Sequence, residues 1–158
     1  MLVKLYELPS LSAALADVAR DGINVRRALA PERPVVLAWV RAHFDTWAAE
    51  VEVAYSRLPI ACFVAHRAQQ IIGFACYDAT APNFFGPEGV VAEERGRGVG
   101  RALLLSALHA QREQGYAYAV IGGVGPASFY EKTVGATPIP GSDPGIYKDL
   151  LRKGQAGA

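Results

Sequence analysis

The stretch Val90-Val91-Ala92-Glu93-Glu94-Arg95-Gly96-Arg97-Gly98-Val99-Gly100-Arg101-Ala102-Leu103-Leu104 decides how the rest of the chain is read. A β-branched pair closes an apolar run and a short acidic turn follows. Glycines then alternate with Arg97 and Val99 until apolar residues recur at helical spacing. Glycine in that rhythm lets the backbone approach a ligand closely and adopt positive φ. The helix that begins there offers free N–H groups and the positive end of its dipole, which together suit a phosphate-like anion. Arg95, Arg97 and Arg101 add side-chain charge around the same spot. Two other phosphate loops fail on the letters. A dinucleotide fingerprint needs G-x-G-x-x-G, but Arg101 stands where the last glycine belongs. A Walker A loop needs Gly-Lys-Ser/Thr, and the chain has no Gly-Lys pair.

What remains is Arg95-x-x-Gly98-x-Gly100 between a strand and a helix. It resembles the pyrophosphate loop of the Gcn5-related N-acetyltransferases, the GNAT superfamily, whose pattern is Gln/Arg-x-x-Gly-x-Gly/Ala. A second family-like stretch lies downstream: Phe129-Tyr130-Glu131-Lys132 followed by Val134-Gly135-Ala136. The resemblance is strongest from Phe84 to about Leu150 and weaker back to Ile23.

Bulk composition fits this reading. The chain has 158 residues, 51% apolar and 20% charged, with a net charge of +1. A chain of this size buries roughly 70% of its unfolded surface in one domain. The near-neutral balance argues against a nucleic-acid or anionic-membrane binder, and against strongly cationic acceptors such as polyamines. No apolar run approaches the roughly 18 residues of a membrane helix. Met1 to Pro9 lacks the apolar core of a signal peptide, so a cytoplasmic location is expected. Cys62 and Cys76 sit in apolar strand-like runs and read as reduced core residues. His43, His66 and His109 are scattered, so no metal is expected.

Taken in order, Val3 to Leu8 reads as an edge strand. Ser10 or Ser12 caps a helix to about Arg20, and Ile23 to Leu29 alternates like a strand. Pro31 and Pro34 open a helix carrying Val36, Trp39, Val40 and Phe44, and a second helix spans Asp45 to Arg57. Ile60 to Ala65 and Ile71 to Tyr77 form an antiparallel hairpin. Phe84 to Val91 is a strand in which Gly89 suggests a bulge. The long helix runs from about Gly98 to Gln114. Tyr116 to Ile121 is a central strand, parallel to the Val90 strand through a right-handed crossover. Pro126 starts a helix to about Thr133. Thr137 to Ile139 and Ile146 to Leu151 look like a final antiparallel pair, and the tail from Lys153 is expected to fray. The sum is a mixed α/β fold with a central mixed sheet and helices on both faces. It reads as one domain over residues 1–158, with residues 1–22 an addition before the first strand of the GNAT fold.

The resemblance implies that the two parallel strands splay and that the pantetheine arm of acetyl-CoA lies in the gap. The backbone of Val90 and Val91 would bond the pantetheine amides, and Arg95, Gly96, Arg97, Gly98, Val99, Gly100 and Arg101 would hold the pyrophosphate. It implies direct attack of an amine on the thioester, a backbone N–H near Val90 or Val91 for the oxyanion, and Tyr130 as proton donor to the CoA sulfur. The superfamily has no fixed general base. Glu88, two residues before Val90, and Asp78, at the end of the preceding strand, are the candidates from position alone. Phe44, Trp47, Tyr55, Phe84 and Phe85 line an acceptor pocket or belong to the core. The expected partner is a small-molecule amine, with no nucleic acid or membrane and with a homodimer left open. The alternative is a GNAT-like domain that binds CoA or an acyl-CoA as a regulatory module without turnover.

Overall fold

The computed structural model describes residues 1–151, so the tail from Lys153 lies outside them. Six strands form one sheet in the order β1-β6-β5-β4-β3-β2: β1 Leu2–Lys4, β2 Ile23–Arg27, β3 Cys62–Arg67, β4 Gln70–Tyr77, β5 Phe84–Val90 and β6 Tyr118–Ile121. All neighbours are antiparallel except β5 and β6. The helices are α1 Leu11–Ala19, α2 Arg33–Phe44, α3 Ala48–Ala54, α4 Val99–Glu113 and α5 Ala127–Val134. This is the mixed α/β architecture that the order of patterns predicts.

Helices cover both faces of the sheet. Neighbouring residues of β4 show this, because successive side chains on a strand point to opposite faces. A Cβ on Gly73 would meet Leu103 of α4, whereas Phe74 packs against Trp39, Phe44 and Trp47. The helix α4 is buried from Ala102 to Gln111 without a solvent stripe, since α1 covers the side that the sheet leaves. Ser10 caps α1, its hydroxyl accepting the Ala13 N–H at 3.2 Å, which satisfies one of the free donors of the first turn.

Met1 to Gly22 gives the sheet its edge strand β1 and gives α4 its outer cover α1. Met1 and Ile121 exchange backbone hydrogen bonds at 2.6 and 2.8 Å, and Leu2 pairs Val120. This placement corrects the expected C-terminal hairpin. The antiparallel side of β6 is already occupied by β1. Of the predicted pair only a bridge from Thr137 to Leu2 forms, and Gly145–Tyr147 is a 3₁₀ turn. Pro138, Pro140 and Pro144 remove the N–H groups that a ladder would need.

Three further expectations shift. The segment from Asp45 begins as a 3₁₀ turn and becomes α-helix only at Ala48. The strand after α4 begins at Tyr118, because Tyr116 is still tied by its N–H to the Gln111 carbonyl at 3.3 Å. No bulge lies at Gly89, which pairs Phe74 in register. The ladder slips instead between Ala75–Glu88 and Tyr77–Phe85, where β5 spends an extra residue at Gly86–Pro87 and Gly86 has φ +115°. Gly89 serves packing: a Cβ there would lie 2.9 Å from the Phe44 ring. Cys62 and Cys76 face one another across β3 and β4, both buried and both free thiols.

Candidate active site

The site is built where β5 and β6 part. Their parallel pairing is confined to Phe84–Val120 and Phe85–Ile121. Beyond it β6 ends in Gly122-Gly123, while β5 continues to Val90 with one edge unpaired. Hydrogen-bond parity says which groups face that gap. The Val91 N–H donates to the Ile72 carbonyl at 3.0 Å, so in the alternating antiparallel ladder Val91 and Gly89 face β4. Val90 and Glu88 therefore turn their backbone groups toward the gap. Of the two expected donors, only Val90 has its N–H there, because that of Val91 is spent on β4. The Val90 carbonyl already accepts the Arg95 Nε–H at 3.0 Å.

The glycine loop folds as a helix entry. Gly96 and Gly98 have φ of +78° and +82°, and Gly98 is the cap of α4. The first intrahelical bond runs from Ala102 N–H to the Gly98 carbonyl at 3.0 Å, so the N–H groups of Val99, Gly100 and Arg101 have no helical partner. The Val99 side chain is core, and only its amide is available to a ligand. Gly100 is the informative residue. Its φ is not positive and a Cβ there would make only ordinary contacts, 3.5 Å from Glu88 Oε1 and 3.6 Å from Phe129. Glycine in a helix costs about 1 kcal/mol against alanine, and nothing inside the chain requires it here. A ligand pressed against that turn would require it, so the loop fits a pyrophosphate. Arg97 pairs loosely with Glu94 and Arg101 with Asp17 of α1, both at 3.6 Å, while Glu94 is held by Arg67 at 2.6 Å. Both arginines are exposed and both contacts are long, so each is worth at most about 1 kcal/mol and either arginine can turn to phosphate.

Gly98 supplies a test. A side chain there would touch only Val18, at an ordinary 3.6 Å, and the positive φ costs an L-residue about 1–2 kcal/mol. Gly98→Asp should therefore fold, yet place a carboxylate among the free amides. Titration calorimetry should show CoA affinity weakened about tenfold or more, equivalent to about 1.4 kcal/mol. Unchanged affinity in the folded variant would move the phosphate site elsewhere.

Deeper in the gap a cavity of about 800 Å³ opens, lined by Glu88, Phe85, Tyr130, Trp47 and the glycines after β6. Pro126 starts α5 at its edge, and this short helix carries Tyr130 inward. The Tyr130 ring stands edge-on to Phe129 and Phe85, with centroids 5.0 and 6.3 Å away. Burial, and secondarily the neighbouring Glu88 carboxyl, push the phenol pKa well above its usual value. Tyr130 thus keeps its proton at neutral pH. The Glu88 Oε1 is buried with no hydrogen-bond partner, and burial raises this carboxyl well above the ordinary carboxylate range.

Asp78 behaves otherwise. It is closed off in a structural network, bonded to Arg57 and to the Asn83 and Gln111 N–H groups at 3.0, 2.8 and 3.3 Å, and it does not line the cavity. Val91 and Arg95 line a second, shallower cavity of about 500 Å³ with Trp39, His43 and Phe44, on the other side of the same loop. Of the candidate acceptor aromatics, Trp47 and Phe85 reach the large cavity, whereas Phe44 is the wedge on Gly89. Among the lining residues that escaped the sequence reading are Glu50 on α3, Thr80, and Tyr147 from the C-terminal turn. One carboxylate on an amphipathic helix is indistinguishable by spacing from a solvated one. Among the described residues no group of three His, Cys, Asp or Glu side chains is placed to hold a metal, and no helix is long and apolar enough to cross a membrane.

Known proteins share this fold. Residues 59–133 match the acetyltransferase (GNAT) domain family, a span that includes the loop, α4, β6 and Tyr130. No curated protein matches the chain. Among solved structures, the glucosamine N-acetyltransferase region of a fungal multi-domain GH3 β-N-acetylglucosaminidase superposes with a TM-score of 0.68 at 16% identity over 84% of this chain. A GCN5-related N-acetyltransferase from Sphaerobacter thermophilus does so with a TM-score of 0.56 at 18% identity over 72%. An aminoglycoside acetyltransferase from an uncultured soil metagenomic sample, in complex with sisomicin, gives 0.58 at 13% identity over 76%. The chain spans 19% of the fungal protein, 41% of the Sphaerobacter protein and 93% of the metagenomic one. At these identities the likeness is one of fold.

Proposed function

We propose that the chain is an N-acetyltransferase of the GNAT superfamily, whose acetyltransferase domain model matches residues 59–133, moving an acetyl group from acetyl-CoA to the primary amine of a small molecule by direct attack. The observation that carries the reading is the meeting, in one cavity at the splay of β5 and β6, of an unpartnered buried carboxyl and a phenol that retains its proton, Glu88 and Tyr130. The free amides of the α4 entry follow directly on β5 in the chain, with Gly100 beside Glu88.

The three chemical requirements map onto three groups. The attacking amine must lose a proton, and Glu88, raised above the carboxylate range, takes it more readily than an ordinary glutamate would. Negative charge develops on the carbonyl oxygen, and the Val90 N–H, unpaired on the gap side, is the donor placed for it. The departing thiolate needs a proton, and the Tyr130 hydroxyl supplies one. It makes no hydrogen bond to another protein group among the described residues, so nothing competes for it. Acetyl-CoA supplies the activated acyl carbon; the chain positions it and moves the protons.

Ligand binding tests the first half of the reading. At a hundred times Kd, acetyl-CoA should stabilise the protein by about 2.7 kcal/mol, which for a chain of this size raises Tm by roughly 5–10 °C. Absence of both a melting shift and binding heat at millimolar acetyl-CoA would overturn it. Release of free CoA over a panel of amines tests the second half: binding without release on any amine would favour a CoA-binding regulatory module.

A further inference from the structure

The acceptor end of the cavity has a chemistry of its own. Glu50 reaches it from α3, Thr80 from the loop after β4 and Tyr147 from the 3₁₀ turn near the C-terminus. The Thr80 hydroxyl donates to the Glu50 carboxylate, and the Tyr147 phenol lines the same cavity with them. Tyr147 is seated by Gly122, at which a Cβ would come within 2.7 Å of the phenol oxygen. The trio is thus fixed from three separate elements. Thr80 fills one of the roughly four acceptor positions of the Glu50 carboxylate. Among the described residues no lysine or arginine pairs with Glu50, and no lysine, arginine or histidine lines the cavity. The carboxylate therefore has unused acceptor capacity facing the cavity. The lining that Glu50 shares with Glu88 and Tyr130 includes the apolar side chains of Trp47, Val53, Phe85 and Pro87.

Resting on the acetyltransfer reading above, we propose that the acceptor is a small primary amine with an apolar body and, at its far end, a hydrogen-bond donor that Glu50 receives with Thr80 and Tyr147. The donor is a hydroxyl or a second ammonium, and the site rejects a carboxylate. The volume admits a molecule of that size, since ligand sites span about 300–1,000 Å³. The local charge explains how a chain of net charge +1 takes a cationic acceptor: the Glu50 carboxylate lines the cavity, whatever the surface average. A carboxylate at the far end would face Glu50 with no cation of the described residues between them.

Four amines of one length separate the outcomes: pentylamine, 5-amino-1-pentanol, 1,5-diaminopentane and 5-aminopentanoate. Each is titrated by calorimetry into the protein, with and without CoA, and each is assayed for acetylation. The amino alcohol and the diamine should bind about tenfold or more tighter than pentylamine, the aminopentanoate weakest, as expected for a hydrogen bond to a charged group. In Glu50→Gln the ratio of diamine to pentylamine should collapse toward one, and Thr80→Val should lower it in the same direction. A stronger response to the diamine identifies the second group as an ammonium, and a stronger response to the alcohol identifies a hydroxyl. Equal binding of all four, tight binding of the aminopentanoate, or a ranking unchanged in Glu50→Gln overturns the proposal, as does binding of none. Selective binding without acetylation would leave the Glu50 site standing and overturn the acetyltransferase reading. Acetylation indifferent to Glu50 would do the reverse.

Discussion

Replacing Tyr130 by phenylalanine should lower kcat by roughly 10²-fold while leaving KM for acetyl-CoA nearly unchanged. The substitution removes one oxygen. The ring contacts with Phe129 and Phe85 stay, and among the described residues the hydroxyl has no hydrogen-bond partner whose loss would unsettle the fold. Burial and Glu88 hold the phenol in its protonated form, so at working pH it is a proton donor rather than a base. A donor that acts only as the carbon–sulfur bond breaks contributes to the transition state and not to the bound ground state, which is why kcat and kcat/KM should fall together. Steady-state kinetics on the best amine of the panel, with calorimetry for CoA affinity, reads both quantities. Wild-type turnover in Tyr130→Phe would take the tyrosine out of the mechanism. A rise in KM alone would make it a wall of the cavity.

The parts of the site legible in the sequence are those set by local chemistry. Gly96 and Gly98 adopt the left-handed conformations their residue type favours, and the apolar period from Val99 fixes α4. Pro126 starts α5 and so carries Tyr130 inward. What the letters concealed is non-local. Which of Val90 and Val91 points its N–H into the gap depends on ladder parity with Ile72, and a one-residue slip would reverse it. Gly89 looks like a bulge until the Phe44 ring is found against it, while the actual slip lies at Gly86–Pro87. The final hairpin has suitable local pattern, but the segment makes only the Thr137–Leu2 bridge, onto the β1 strand that pairs β6 from the far end of the chain. Glu50 gains meaning only when Thr80 and Tyr147 are brought to it.

Glu88→Gln should separate catalysis from stability, with opposite signs. The folded protein holds the Glu88 carboxyl in a buried, unpartnered position that disfavours its charge, so its folded pKa exceeds the unfolded value of about 4.3. Between those two values the folded chain keeps a proton that the unfolded chain has released. Stability therefore falls as pH rises through that window and stays lower above it. Glutamine does not titrate and fits the same space. Its Tm should match wild type near pH 4, exceed it increasingly as pH rises toward the folded pKa, and keep that margin above it. Activity should move the other way. If Glu88 accepts the amine proton, the wild-type rate climbs as this carboxyl ionises; the variant should lose that acidic limb and run about 10²-fold slower or worse at neutral pH. Part of the rate should return at alkaline pH, where the amine itself is deprotonated in solution. Melting curves and pH–rate profiles on the same two proteins settle the assignment. A variant that gains stability at high pH but retains the wild-type pH–rate profile would leave Glu88 a buried acid without a part in the chemistry. One that loses stability at every pH would contradict the unpartnered carboxyl on which the assignment stands.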